Sequence, residues 1–188
     1  MMNRNILLIL ILFFYTFPIF LVYKNYKCNN SVSNIICDKK CKFYILFFMF
    51  LMAISTVLYE LKRNDVYSQI FIFTILISIG FLIVFDESYM IHYFFAGAVF
   101  LSIMFFMIHH TILTKNIVLL LSLILAIILL LFIIFNLQCD FFYTEVIYIL
   151  NFAFYYVYLH LITSSFEDSP IFNKIVHTNA SHNRHFLV

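Results

Sequence analysis

Residues Ile117 to Phe135 read IVLLLSLILAIILLLFIIF, with no charge, no glycine and no proline. A bilayer's hydrocarbon core is about 30 Å thick and takes about 20 helical residues to cross, with a working range of about 17 to 25. Working outward from this stretch, five more runs of that length stand out: Asn5 to Tyr23, Phe43 to Tyr59, Val66 to Phe85, Ser88 to Ile108 and Phe141 to Ile162. All six are continuous rather than alternating, and unpaired strand edges cannot face lipid, so helices are predicted and not barrel strands. The expected fold is an all-α, polytopic six-helix transmembrane bundle.

The composition asks for the same solvent. Of 188 residues, 65% are hydrophobic, 21% aromatic and only 11% charged. Soluble domains run near 45 to 50% apolar and about 25% charged. Twenty-six phenylalanines against two glycines and no tryptophan also suggest an AT-rich coding sequence, so aromatic abundance by itself carries no functional meaning. The net charge of +2 is mild and its basic residues are scattered, which excludes a nucleic-acid partner and leaves membrane lipids. The first run is too long for the apolar part of a signal peptide, and Phe17-Pro18-Ile19-Phe20 offers no small-residue cleavage site, so it reads as a retained helix. Connections are short. Only the stretch from Lys24 to Lys42 and a tail at 163–188 have any size, and no separate soluble domain fits.

Orientation rests on cysteine. The eleven lysines and arginines divide almost evenly between the two sides, so the positive-inside rule decides little. Cys28, Cys37 and Cys41 lie in the first loop and Cys139 in the fifth, which puts all four thiols on one face of a six-span chain. Disulfides persist in lumenal or extracellular space, so the odd loops are assigned there and both termini to the cytosol. Four cysteines allow three pairings, and all three stay open. Asn29 begins a glycosylation sequon in the same loop. Zinc is the rival use of the thiols, but Cys37 and Cys41 have neither a paired CxxC nor a neighbouring histidine, so no metal is expected.

Ionisable residues at membrane depth are functional candidates by default, because each costs several kcal/mol unless paired or wetted. Toward the lumenal ends of the spans stand Asp86, Glu87, His92, Asp140 and Glu145; toward the cytosolic ends stand His109, His110 and His160. His92 and His109 are roughly 25 Å apart along one helix, too far to share a metal. An acid and an imidazole meeting near His92, with Asp86 or Glu145 as the acid, could do acid–base work on a lipid headgroup. The competing role is a hydrogen bond from His92 that locks its helix to a neighbour. That role is favoured, because no serine or cysteine nucleophile is placed beside it. Ala96-Gly97-Ala98 and Ser102 give small residues at a spacing that lets helices pack closely. The last span is the most polar: Tyr148, Asn151 and Tyr155 share a face, which predicts a helix in the bundle interior, with Asn151 a packing residue. No nucleotide loop, phosphate cradle or metalloprotease motif is present, and no cofactor is expected.

The segment Gly80 to His110, GFLIVFDESYMIHYFFAGAVFLSIMFFMIHH, resembles the centre of the DRAM and FRAG superfamily of six-span membrane proteins. The features that carry the likeness are Asp86, then His92, then the small-residue step Ala96-Gly97-Ala98 and Phe100. In the last span they are Glu145, Tyr155, Tyr156 and the exit Phe166-Glu167-Asp168. The superfamily includes damage-regulated autophagy modulators, regulators of a plasma-membrane phosphatidylinositol kinase and PGAP-type GPI-anchor remodelling proteins. The resemblance implies an organiser or regulator in lipid handling or autophagy, in the lysosome, Golgi and ER or at the plasma membrane. Its implied partners are lipids, other membrane proteins or a lipid kinase complex, and its implied critical lumenal group is Asp86, His92 and Glu145. GPI-anchor lipid remodelling is the alternative it offers. A small channel or transporter is the third, and would need a wet path that the sequence does not display.

Overall fold

A computed structural model of the chain describes residues 4–24, 32, 42–63, 65–85, 88–135 and 141–167. Among them the only regular elements are helices: α1 (Arg4–Lys24), α2 (Lys42–Arg63), α3 (Val66–Val84), α4 (Met90–Thr114), α5 (Ile117–Phe135) and α6 (Phe141–Glu167). All six are long and apolar enough to cross a bilayer, which makes this a multi-pass membrane protein by the length and composition of its helices. The thiols Cys28, Cys37, Cys41 and Cys139, the sequon at Asn29, and Asp86 lie outside the described residues.

Three of the helices run further than the runs read from the sequence. α2 continues past Tyr59 to Arg63, α4 continues past Ile108 to Thr114, and α6 continues past Ile162 to Glu167. The first two extensions carry Glu60 and His110, both almost wholly buried among other polar groups. The Glu60 charge is answered from within the protein and so does not have to end α2 at the membrane surface.

Neighbours in sequence are neighbours in space. α1 pairs closely with α2, α3 with α4 and α5 with α6, while the three hairpins touch one another less extensively. α1 also meets α6, so the six helices close into a ring, and α4 reaches α6 across it. Two turns at one end are fixed by caps. Asp65 is extended (φ −103°, ψ 99°), and its Oδ1 accepts from the backbone N–H of Ser68 at 3.2 Å, the usual N-cap geometry for starting α3. Between α4 and α5, Lys115 takes a left-handed conformation (φ 51°, ψ 31°) and its N–H closes on the carbonyl of Thr111. Asn116 then caps α5 through Oδ1, which accepts from the N–H of Val118 at 2.8 Å.

The interior is unevenly filled. At the end where α1 begins and α6 finishes, a continuous core packs Leu7 of α1, Tyr59 of α2, Ile72 of α3, Phe106 and Met107 of α4, Leu119 of α5 and Leu159 of α6. A small separate cluster of Val22, Ile45 and Phe142 sits at the far end. Large side chains such as Phe50, Leu121 and Phe154 are exposed on the outside, as lipid-facing residues must be.

Lys115 is the only described non-glycine residue with positive φ, a conformation that costs an L-residue about 1–2 kcal/mol. Lys115→Gly is expected to stabilise the protein by up to about 1 kcal/mol, visible as a raised thermal midpoint in detergent; an unchanged or lowered midpoint would count against the strained turn.

Candidate functional site

α6 holds the bundle together by polar contacts on its inward face. Tyr148 donates to the carbonyl of Phe100 on α4 at 3.1 Å, and Tyr155 donates to the carbonyl of Met107 at 2.8 Å. Since the phenol proton of Tyr155 is spent there, the hydroxyl of Thr111, 2.9 Å away, must be the donor of that pair. Asn151 and Ser122 of α5 form a two-way clasp: the serine hydroxyl donates to Oδ1 at 2.7 Å and Nδ2 donates to the serine carbonyl at 2.9 Å. Ile149 accepts from the hydroxyl of Tyr15 on α1 at 2.7 Å. Tyr148, Asn151 and Tyr155, which share a face by spacing, are therefore all buried in the bundle and all bonded across it.

The fifth contact of α6 opens a cluster that charge-free runs miss. Glu60 of α2 has no exposed surface. Its Oε1 accepts from the hydroxyl of Tyr156 at 2.5 Å and its Oε2 from the hydroxyl of Ser68 on α3 at 2.7 Å. Accepting on both oxygens is what an ionised carboxylate does. Arg63, one turn on, comes within 4.0 Å of Glu60 and donates to Asp65 at 3.4 Å. The ring of His160 on α6 has its Nε2 3.3 Å from the Arg63 guanidinium. A guanidinium can only donate, so this nitrogen accepts and the imidazole is neutral. Gln69 of α3 donates to the backbone carbonyl of Glu60 at 3.0 Å, and His110 of α4 places Nε2 3.9 Å from Asp65. Three helices, α2, α3 and α6, are thus fastened at this end around one carboxyl group. His109, beside His110 in the chain, stays out of the cluster and packs against the ring of Tyr67.

The other half of the bundle is hollow. A cavity of about 780 Å³ lies between the helices, with residues of all six in its wall. The wall is built from helical stripes, such as Ile11, Tyr15, Pro18 and Val22 on α1, and Ile72, Ile75, Ile79 and Ile83 on α3. Along α6 it runs from Glu145 to Val157, roughly 18 Å at the helical rise. That volume falls within the range of about 300 to 1,000 Å³ typical of small-molecule sites.

Of the residues singled out by sequence, His92, Glu145, Ala96 and Gly97 all line this cavity. His92 is 3% exposed, and its Nδ1 lies 2.9 Å from the carbonyl of Phe85, tying the start of α4 to the end of α3. Glu145 is half-buried, and its Oε2 accepts from the N–H of Val32 at 2.8 Å. A Cβ built on Gly97 would meet nothing within 4 Å, so at this point the small residues leave open space. Ser102, buried further along α4, and the half-buried Ala98 are not part of its wall. Glu60, Asp65 and Ser68 were not singled out by sequence. The signal for Glu60 was its place four residues after Thr56 and eight after Met52, both buried on the same stripe. Among the described residues no group of three or more histidines, cysteines or acids is arranged to hold a metal ion.

Removing one donor from a buried carboxylate leaves an acceptor oxygen unmatched, at a cost of about 1–3 kcal/mol. Tyr156→Phe is expected to lose that much stability, and Glu60→Ala more, about 3–5 kcal/mol, because Arg63 is left buried with less to balance it. Thermal unfolding of the purified variants measures both; Glu60→Ala matching wild type would refute the fastening role.

In comparisons with known proteins, no family model matches the chain, and no curated protein or solved structure is significantly similar to it.

Proposed function

We propose that this protein handles membrane lipids by taking the chain of an amphiphile into the cavity between its helices. The observation that carries the reading is the cavity itself: about 780 Å³, walled mainly by aliphatic stripes of six helices, with an imidazole, a carboxyl group and a few hydroxyls among an apolar majority. A hollow of this size lined by leucine, isoleucine and valine gains nothing from water, which needs two to four polar partners. It suits a hydrocarbon chain, and the surrounding bilayer supplies one.

The resemblance of Gly80 to His110 to the DRAM and FRAG superfamily supports the wider setting. In that setting the protein is an organiser or regulator of secretory and endolysosomal membranes, in lipid handling or autophagy. Both termini are then cytosolic, and the cysteines of the first and fifth loops face the lumen or the exterior. Cysteine distribution supports that orientation.

Two outcomes follow. Gly97→Phe places a ring in open space on the cavity wall; mass spectrometry of gently purified protein is expected to find co-purifying lipid in wild type and markedly less in the variant, at similar thermal stability. Equal lipid in both would remove the cavity from the account. Membrane-impermeant maleimide applied to intact cells after reduction is expected to label the cysteines only when their side faces the exterior or an opened lumen, and labelling from the cytosolic side would reverse the orientation.

A further inference from the structure

The polar atoms along the cavity wall are unequal in kind, and their hydrogen bonds say which heads it suits. Three hydroxyls in the lining are already committed as donors. Tyr15 gives its proton to the Ile149 carbonyl at 2.7 Å, Thr56 to the Met52 carbonyl at 2.8 Å, and Tyr156 to Glu60 at 2.5 Å. The remaining lining hydroxyl, that of Tyr93, belongs to a side chain 64% exposed on the outside of the bundle.

Acceptors are in the opposite position. The carbonyl of Phe85 can only accept, so the 2.9 Å contact from His92 fixes the proton of the imidazole on Nδ1. In the neutral ring Nε2 is then a lone pair. This nitrogen makes no hydrogen bond to any described residue, although His92 is 3% exposed and lines the cavity. A ligand whose head donates to this nitrogen supplies the hydrogen bond that the described residues do not.

We infer that the cavity selects amphiphiles whose head donates a hydrogen bond to His92, a hydroxyl or an amine on a long hydrocarbon chain, over those with an anionic head. The inference rests on the lipid-handling reading above and adds the chemistry of its ligand. A carboxylate or phosphate head would bring a second acceptor to the imidazole lone pair. A hydroxyl or ammonium head supplies the donor that the lone pair lacks.

The test uses the full chain in phosphatidylcholine nanodiscs at alkaline pH, where a fatty acid is ionised and an imidazole is not. Tritiated hexadecanol is the bound probe, and hexadecanol, hexadecylamine, hexadecane and hexadecanoate are the competitors. The alcohol and the amine are expected to compete at least about tenfold better than hexadecanoate, the weight of one buried hydrogen bond. In His92→Phe the advantage of hexadecanol over hexadecane is expected to vanish while chain binding persists. Equal competition by all four, or a preference for hexadecanoate, overturns the head-group inference and leaves chain binding standing. No saturable binding of the probe to wild type overturns the lipid-handling reading along with it. The wild-type ranking alone decides the matter if the variant does not fold.

Discussion

A carboxyl group with no exposed surface must have its hydrogen bonds and its counter-charge supplied from inside the protein. Glu60 imposes that demand at one end of the bundle. It is met by a hydroxyl from α3, a hydroxyl from α6 and a guanidinium one turn along its own helix. Each donor comes from a different direction, so the site cannot be satisfied unless α2, α3 and α6 converge. Apolar packing between helices in lipid is weakly directional, because lipid tails are as apolar as leucine. Polar contacts that are costly to leave unmade therefore set which helices meet and in what register.

This tight end makes the hollow end affordable. A cavity forfeits the dispersion contacts its lining would otherwise make, at about 24 cal/mol per Å³ when it is created in a core by truncation. Such a space survives only where the rest of the structure holds the walls apart. Here the walls are held by Tyr15 on α1, Tyr148 on α6 and the imidazole of His92 on α4, each bonded to a backbone carbonyl on another helix or at its end. Tyr156 belongs to both halves: its ring lies in the cavity wall and its hydroxyl on Glu60. Cavity and cluster are in that sense two ends of one frame.

The six spans were legible because their signal is length, which survives any biased composition. The inward face of α6 was legible for a similar reason, since Tyr148, Asn151 and Tyr155 recur at helical spacing. Glu60 was not, because ending the second run at Tyr59 treats the charge that follows as a mark of the surface; here the charge is buried and paired, and the helix runs on to Arg63. The hollow was also hidden. Small residues such as Ala96 and Gly97 look alike in sequence whether they let two helices touch or leave a space, and only the position of the neighbouring helix separates the two. His92 and Glu145 could be named from their chemistry, but that both border one cavity depends on how six separate stripes come together.

The dependence of the whole on α6 also bears on how the protein is made. Ribosomes deliver helices in order, and the first five reach the membrane before the partners of Glu60, Ser122 and Met107 have been synthesised. Until Tyr156 arrives, nearly a hundred residues after Glu60, the carboxyl group waits in a half-assembled bundle with its full complement of donors unmet. A chain that stops short of the last helix therefore leaves that carboxyl group without the Tyr156 donor that completes its site.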